Sequence, residues 1–201
     1  MKFFNVHTHL PPRPDEETIR CCGLHPWNIK SNWRYLLNLF LGPLYVPGFE
    51  PKEILQAIGE CGLDHVCQTP YNLQLEAFKV QIAESEHRQL PLILHCVRAQ
   101  DDVLQLKQHT TQPWVWHGFR GKPEQLQQLI QHGFYVSFGL HYNAESLARC
   151  PAEKLFLETD KEDTPIRLLY DEAARLRNTT VETLKQQLWA NASAIFGNLK
   201  Q

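Results

Sequence analysis

The sequence predicts an α/β fold, a parallel barrel in which strands alternate with helices. Short apolar runs are separated by stretches of helical periodicity, an alternation that implies a parallel sheet. Histidines and carboxylates stand at or just past the ends of those runs. In parallel barrels the reactive side chains project from the carboxyl ends of different strands, so residues distant in sequence converge on one face.

The first strand is Phe3-Phe4-Asn5-Val6, closed by His7 and His9, and the second spans Ile19 to Leu24. Ile54-Leu55-Gln56-Ala57-Ile58-Gly59 leads into Glu60, Leu90-Pro91-Leu92-Ile93-Leu94 into His95, and Trp114-Val115-Trp116 into His117. Phe134 to Phe138 forms a sixth strand, and Leu155-Phe156-Leu157-Glu158-Thr159 a seventh, followed by Asp160. Over residues 72 to 89, Leu75, Phe78, Ile82 and Ala83 recur among charged neighbours as in an amphipathic helix, before Pro91 opens the next strand. A helix is expected from about 123 to 132. Thr179 with Glu182 has capping-box spacing, and Leu184, Leu188, Ala192 and Ile195 then share a face until Gly197. Residues 10 to 18 and 42 to 52, broken by prolines and glycines, read as loops. About seven recognisable strands rather than eight point to a TIM-barrel-like barrel that is incomplete or distorted near its first and second strands.

With 201 residues and scattered prolines, the chain fits a single domain over 1–201. Its formal charge of −2 supplies no global field for polyanions, so any nucleic-acid binding must rest on local cations or metals. Met1-Lys2 leads straight into a strand without a signal-peptide core. Six cysteines lack C-x-x-C spacing, as in a cytoplasmic protein without disulfides. The longest apolar stretch, around Tyr35 to Leu41, is too short to span a membrane.

Residues two apart in a strand point to one side, so His7 and His9 could reach one cation. Taken alone, such a pair can as readily be two polar residues at a strand end. Glu60 lies between Gly59 and Gly62, where the backbone could turn sharply directly after a buried strand. Its two oxygens could bridge two cations, although an isolated buried Glu is ordinarily paired with a side-chain cation. His95 and His117 would then serve a second metal, and either alone is more often structural. Asp160 could bind one metal and accept a proton from water. Glu158 shares its strand face and suits either an outer support or a buried ion pair. Cys61 and Cys96 neighbour these residues, but alternation turns Cys96 away from the mouth. Arg98, Arg120 and Lys122 could meet phosphate oxygens, although exposed loop cations are usually solvated. Trp27 reads as a buried loop anchor rather than a platform for a base.

Taken in order, His7-Thr8-His9, Gly23-Leu24-His25-Pro26, Gly59-Glu60-Cys61-Gly62-Leu63-Asp64, Leu90 to His95, His117-Gly118-Phe119-Arg120-Gly121, Glu158-Thr159-Asp160 and Asn191 to Gly197 resemble the TatD family of metal-dependent hydrolases. The resemblance covers nearly the whole chain. It implies a TIM-barrel enzyme with two divalent metal ions, Zn, Mg or Mn, and deoxyribonuclease activity in many members. By motif, His7, His9, Glu60 and Asp160 would hold one ion and Glu60, His95 and His117 the other, with Glu60 and Asp160 catalytic. His25 would stand near the substrate phosphate, where Arg98 and Arg120, placed just after His95 and His117 in the chain, could join it.

The chain also departs from the family pattern. A helix and strand usual between the first histidine pair and Gly-x-His-Pro are missing, as in a shortened member. Asn5 and Pro11 stand where the family commonly has Asp, and Lys161-Glu162 replaces Ser-Pro. DNA or another phosphodiester is the expected substrate. The alternatives are amidohydrolase-like cleavage of a small ester, lactone or amide, and a non-catalytic metal-binding descendant. A phosphoesterase of the polymerase and histidinol phosphatase type would need a late Asp-x-His, and no Gly-x-Ser-x-Gly elbow supports a serine nucleophile.

Overall fold

The structure is a computed structural model that describes residues 1–41, 55–197 and 199. The predicted loop over 42–52 lies outside the described residues. In chain order the strands and α-helices are β1 (Phe3–Asn5), β2 (Glu16–Thr18), β3 (Cys21–Cys22), α1 (Trp33–Leu41), β4 (Ala57–Asp64), α2 (Tyr71–Arg88), β5 (Leu92–Val97) and α3 (Gln100–Lys107). They continue with β6 (Trp114–Trp116), α4 (Pro123–Gln131), β7 (Tyr135–Phe138), α5 (Ala144–Arg149), β8 (Leu155–Leu157), α6 (Ile166–Leu176) and α7 (Val181–Phe196). A short 3-10 turn, Pro26–Asn28, follows His25. Glu16–Thr18 is a strand where a loop was expected, because its backbone pairs in parallel with β1 at Phe3↔Glu16 and Asn5↔Thr18. The second predicted strand contracts to Cys21–Cys22.

The residues group into two compact units, Met1–Ile19 with Pro113–Gln201, and Arg20–Gln112. In the first unit, β6, β7 and β8 form a parallel ladder, and β8 is fully buried, as continuous apolar strands are when covered on both faces. β1 meets the β8 segment through Val6 N–H to Leu157 O at 3.1 Å and an isolated Thr8↔Asp160 bridge, so regular pairing breaks down at the first strand. Phe4 packs against Phe156 and Trp189, with centroids at 5.9 and 5.6 Å. The buried Tyr170 hydroxyl accepts from Phe4 N–H at 3.2 Å and donates to Phe4 O at 2.9 Å, pinning the strand edge to α6. The cap of α7 is Thr180, whose side chain accepts from Thr183 N–H, rather than Thr179. Leu184, Leu188 and Ala192 are buried as the pattern requires.

In the second unit β3, β4 and β5 run parallel. The helix expected over 72–89 is present, but its buried face is Gln74, Ala77, Phe78, Gln81 and Ser85, with Ala83 exposed. Polar demand turns the helix. Gln81 accepts from Leu24 N–H at 2.7 Å and donates to Leu24 O at 3.1 Å. Gln74 accepts from Asp64 N–H at 2.8 Å and donates to Asp64 O at 3.0 Å. Buried main-chain groups need such partners, and two glutamine amides supply them where strand ladders stop.

Gln81→Leu should therefore cost about 1–3 kcal/mol for each main-chain group of Leu24 left dry, measured by urea unfolding. Glu86 gives a pH test. Burial raises its carboxyl pKa, but donation from Thr111 Oγ1, Gln112 N–H and Thr111 N–H, with Lys107 nearby, outweighs this and holds it below the usual range. A lowered folded pKa means that the stabilisation is complete above the unfolded value of about 4.3 and fades as pH falls through the folded one. Wild type should exceed Glu86→Gln in unfolding free energy at neutral pH, and the gap should narrow on acidification.

Candidate metal centre and active site

In the first unit a main-chain clasp sets the donors. His9 N–H donates to Asp160 O at 2.8 Å and Asp160 N–H to His7 O at 3.1 Å, straddling Thr8. Asp160 takes a left-handed conformation, φ 53°, which Asp tolerates better than most residues. Asn5 reinforces the clasp: its amide donates to Thr159 Oγ1 at 2.9 Å and its carbonyl accepts from Thr159 N–H at 3.2 Å. An aspartate there could accept but, when ionised, not donate. Asp160 Oδ1 then lies 3.3 Å from His9 Nε2 and 3.8 Å from His7 Nε2. Ligands about 2.0–2.2 Å from a tetrahedral ion are spaced by about 3.3–3.6 Å; the His9 separation falls in that range and the His7 separation lies slightly beyond it. Three donors here could hold an ion.

His117 packs on His7, centroids 4.8 Å apart, and its Nδ1 meets Glu158 Oε1 at 3.0 Å. Glu158 is fully buried; burial raises its pKa, but His117 beside it, with His7 further off, holds it below the carboxylate range. With Glu158 ionised and accepting from Nδ1–H, the neutral form of His117 keeps its lone pair on Nε2. A cavity of about 190 Å³ opens beside Asp160, lined among others by Arg120, His141 and Lys161.

In the second unit Glu60 sits in the middle of β4 rather than closing it, and the flanking glycines belong to the strand. The register with β5 shifts between Ile58 and Cys61, a bulge that re-aims Glu60. Gly62, at φ 146°, faces β5 so closely that a Cβ would stand 1.9 Å from His95 O. His95 Nε2 meets Asp64 Oδ2 at 3.2 Å, while Nδ1 stands 2.7 Å from Glu60 Oε1. Asp64 is 2% exposed and burial raises its pKa, but bonds from Trp27, Val66 N–H and His95 hold it below the usual range. In the neutral form of His95 that donates Nε2–H to Asp64, Nδ1 carries the lone pair and faces the Glu60 carboxylate.

His25 is polarised oppositely. Its Nδ1 accepts from Trp27 N–H at 3.1 Å, so the neutral ring carries its proton on Nε2, which lies 3.2 Å from His95 Nδ1 and 3.3 Å from Glu60 Oε1. The distances would admit His25 as a ligand, but the tautomer makes it a donor of an N–H bond. Arg98, left-handed at φ 54°, and Arg120 are exposed. Cys61 is buried, and burial pushes the Cys96 thiol up to about 12, which leaves both thiols inert. Trp27 is exposed rather than a buried anchor: its indole N–H reaches Asp64 Oδ2 while the ring stays in solvent. Asp64 escaped the sequence reading, although strand alternation places it on the same face as Glu60 and Gly62.

A family model described as TatD related DNase matches residues 13–197. The chain belongs to the TatD family. The TATDN1 homolog of Enterocytozoon bieneusi is 30% identical over 195 residues, covering 92% of this chain and 71% of the relative. The 3'-5' ssDNA/RNA exonuclease TatD of Citrobacter koseri is 35% identical over 178 residues, 78% of this chain and 64% of that one. The crystal structure of Escherichia coli YjjV, a TatD homolog, superposes with a TM-score of 0.76 over 98% of both chains at 19% identity. That likeness gives this TatD-family chain the α/β, TIM-barrel-like fold expected of it. Among the described residues no helix lies between His9 and Gly23, where the TatD pattern usually has one.

Gly62→Ala should displace β5 at His95 and lower stability by at least about 2 kcal/mol. Urea unfolding of the metal-free protein measures the loss, and titration with Zn should show weaker binding in parallel.

Proposed function

We propose that this TatD-family hydrolase is a phosphodiesterase acting on single-stranded nucleic acid, DNA foremost, with two divalent ions held by His7, His9, Glu60, His95, His117 and Asp160. The observation that carries the reading is the outer commitment of His95 and His117. A buried carboxylate takes one ring nitrogen of each, and the other nitrogen of His95 faces the Glu60 carboxylate at 2.7 Å with His25 Nε2 3.2 Å away. Imidazole and carboxylate atoms so gathered form a set that a cation would fit. Imidazole and carboxylate without thiolate suit Zn, Mn or Mg in an open site.

Bound divalent ions supply Lewis acidity, which acidifies water and neutralises charge on phosphorus. The chain's own residues do the rest. Asp160, fixed by its clasp, accepts the proton of the attacking water. His25 offers its Nε2–H to a phosphate oxygen, and Arg98 and Arg120 add charge along the approach. The naming of the Citrobacter relative as a 3'-5' ssDNA/RNA exonuclease supports the substrate class. The family match over 13–197 supports one hydrolase domain. All six cysteines are free and no helix among the described residues is long and apolar enough to cross a membrane, which suits a cytoplasmic enzyme.

The test is hydrolysis of an end-labelled single-stranded oligonucleotide after chelation and reloading with Mg, Mn or Zn. Asp160→Asn should retain the thermal unfolding transition, because Asn accepts the left-handed backbone, and lose about 10²–10⁴-fold in rate. Full activity in that variant removes Asp160 from the proton's path. No cleavage with any metal, alongside turnover of a small ester, moves the assignment to an amidohydrolase-like activity.

A further inference from the structure

We infer that Trp27 is a fixed stacking platform for a nucleobase of the substrate, beside the imidazole that meets its phosphate. The inference rests on the phosphodiesterase reading and adds to it the part of the nucleotide that the metal donors and cations leave unrecognised. Trp27 is 60% exposed, whereas the other four tryptophans of the chain are buried. An exposed indole would ordinarily sample several rotamers, and this one is tethered through its ring while its backbone is fixed beside it. Its ring N–H donates to Asp64 Oδ2 at 2.6 Å, and its main-chain N–H donates to His25 Nδ1 at 3.1 Å. Asp64 is itself immobile, since Oδ1 accepts from Val66 N–H at 2.7 Å and Cys67 N–H at 3.2 Å while Oδ2 also serves His95.

A large apolar face is thus kept in water at a fixed orientation, with little rotamer entropy left to lose when a partner arrives. The ring stands edge-on to its neighbours, 5.0 Å and 83° from His25 and 6.0 Å and 77° from His95. A base on the indole and a phosphate oxygen at His25 Nε2–H can therefore belong to one nucleotide. Every base has a π-face, so such a platform binds single strands with little regard to sequence, whereas a paired base is already stacked.

Two readouts test this. In chelated wild-type protein, single-stranded oligothymidylate should quench tryptophan emission, which is open to a stacked base only at Trp27, and an abasic strand of equal length should not. In metal-loaded enzyme, Trp27→Ala should raise KM for the oligonucleotide about 5- to 150-fold, as loss of one stacked base does, with the change falling on KM rather than kcat. Trp27→Phe, which keeps a ring and loses the N–H, should recover much of that loss, and the gap between wild type and Trp27→Ala should collapse on the abasic strand. Equal quenching by both strands, or a defect in kcat that Phe shares with Ala, overturns the inference and assigns Trp27 to holding Asp64 alone. Base-dependent quenching without cleavage under any metal keeps the platform and overturns the nuclease reading. Cleavage with an unchanged KM in Trp27→Ala does the reverse.

Discussion

The two main-chain bonds by which Asp160 straddles His7-Thr8-His9 are the interaction on which the first unit's chemistry depends. They join residues about 150 positions apart where no regular ladder connects them. Without the clasp, Asp160 would have no reason to stay left-handed, and its carboxylate would leave the two imidazoles. Asn5 and Thr159 close the same junction from the buried side. The departure from the family's usual Asp at position 5 is therefore a change of fastening: an amide both gives and takes a hydrogen bond where an ionised carboxylate only accepts.

Histidine roles follow from which nitrogen is already spent. Asp64 claims the Nε2 proton of His95, and Glu158 claims the Nδ1 proton of His117. In their neutral forms both rings then keep a lone pair on the other nitrogen. A main-chain N–H occupies Nδ1 of His25 and leaves it as a proton-bearing ring. On the proposed function, three chemically identical side chains are thereby sorted into two kinds of partner, one kind for cations and one for anions. Both buried carboxylates are held below the usual carboxylate range against the cost of burial, Asp64 chiefly by hydrogen bonds and Glu158 chiefly by the charge of His117 beside it.

Much of this was legible in the sequence. The alternation of apolar runs and helices gave the fold class, and strand-end histidines and carboxylates marked the residues that the structure gathers within each unit. Errors arose where a polar group did the work of an apolar one. Periodicity assigned Leu75, Ile82 and Ala83 to the inner face of α2, yet Gln74 and Gln81 occupy it because main-chain groups of Leu24 and Asp64 needed partners. Glu60 stands where an apolar run ends and so reads as a strand end with glycines that permit a turn, whereas the strand continues through it and close strand approach demands those glycines. Trp27 reads as buried and Asp64 receives no role in the sequence, because the hydrogen bond they share joins residues 37 positions apart.

The pair of glutamines on α2 has a metrical consequence. Gln74 and Gln81 are seven residues apart, close to two helical turns, so their attachment points are separated along the axis by about 10.5 Å. One grips the residue before His25 and the other the carboxylate residue behind His95. The helix is thus a ruler laid along this unit, and it fixes the spacing of Leu24 and Asp64 beyond the two residue pairs, Cys21↔Ala57 and Cys22↔Ile58, through which β3 and β4 are in register. A single-residue insertion between the two glutamines would rotate one grip by about 100° about the axis, while the rest of the helix stayed intact.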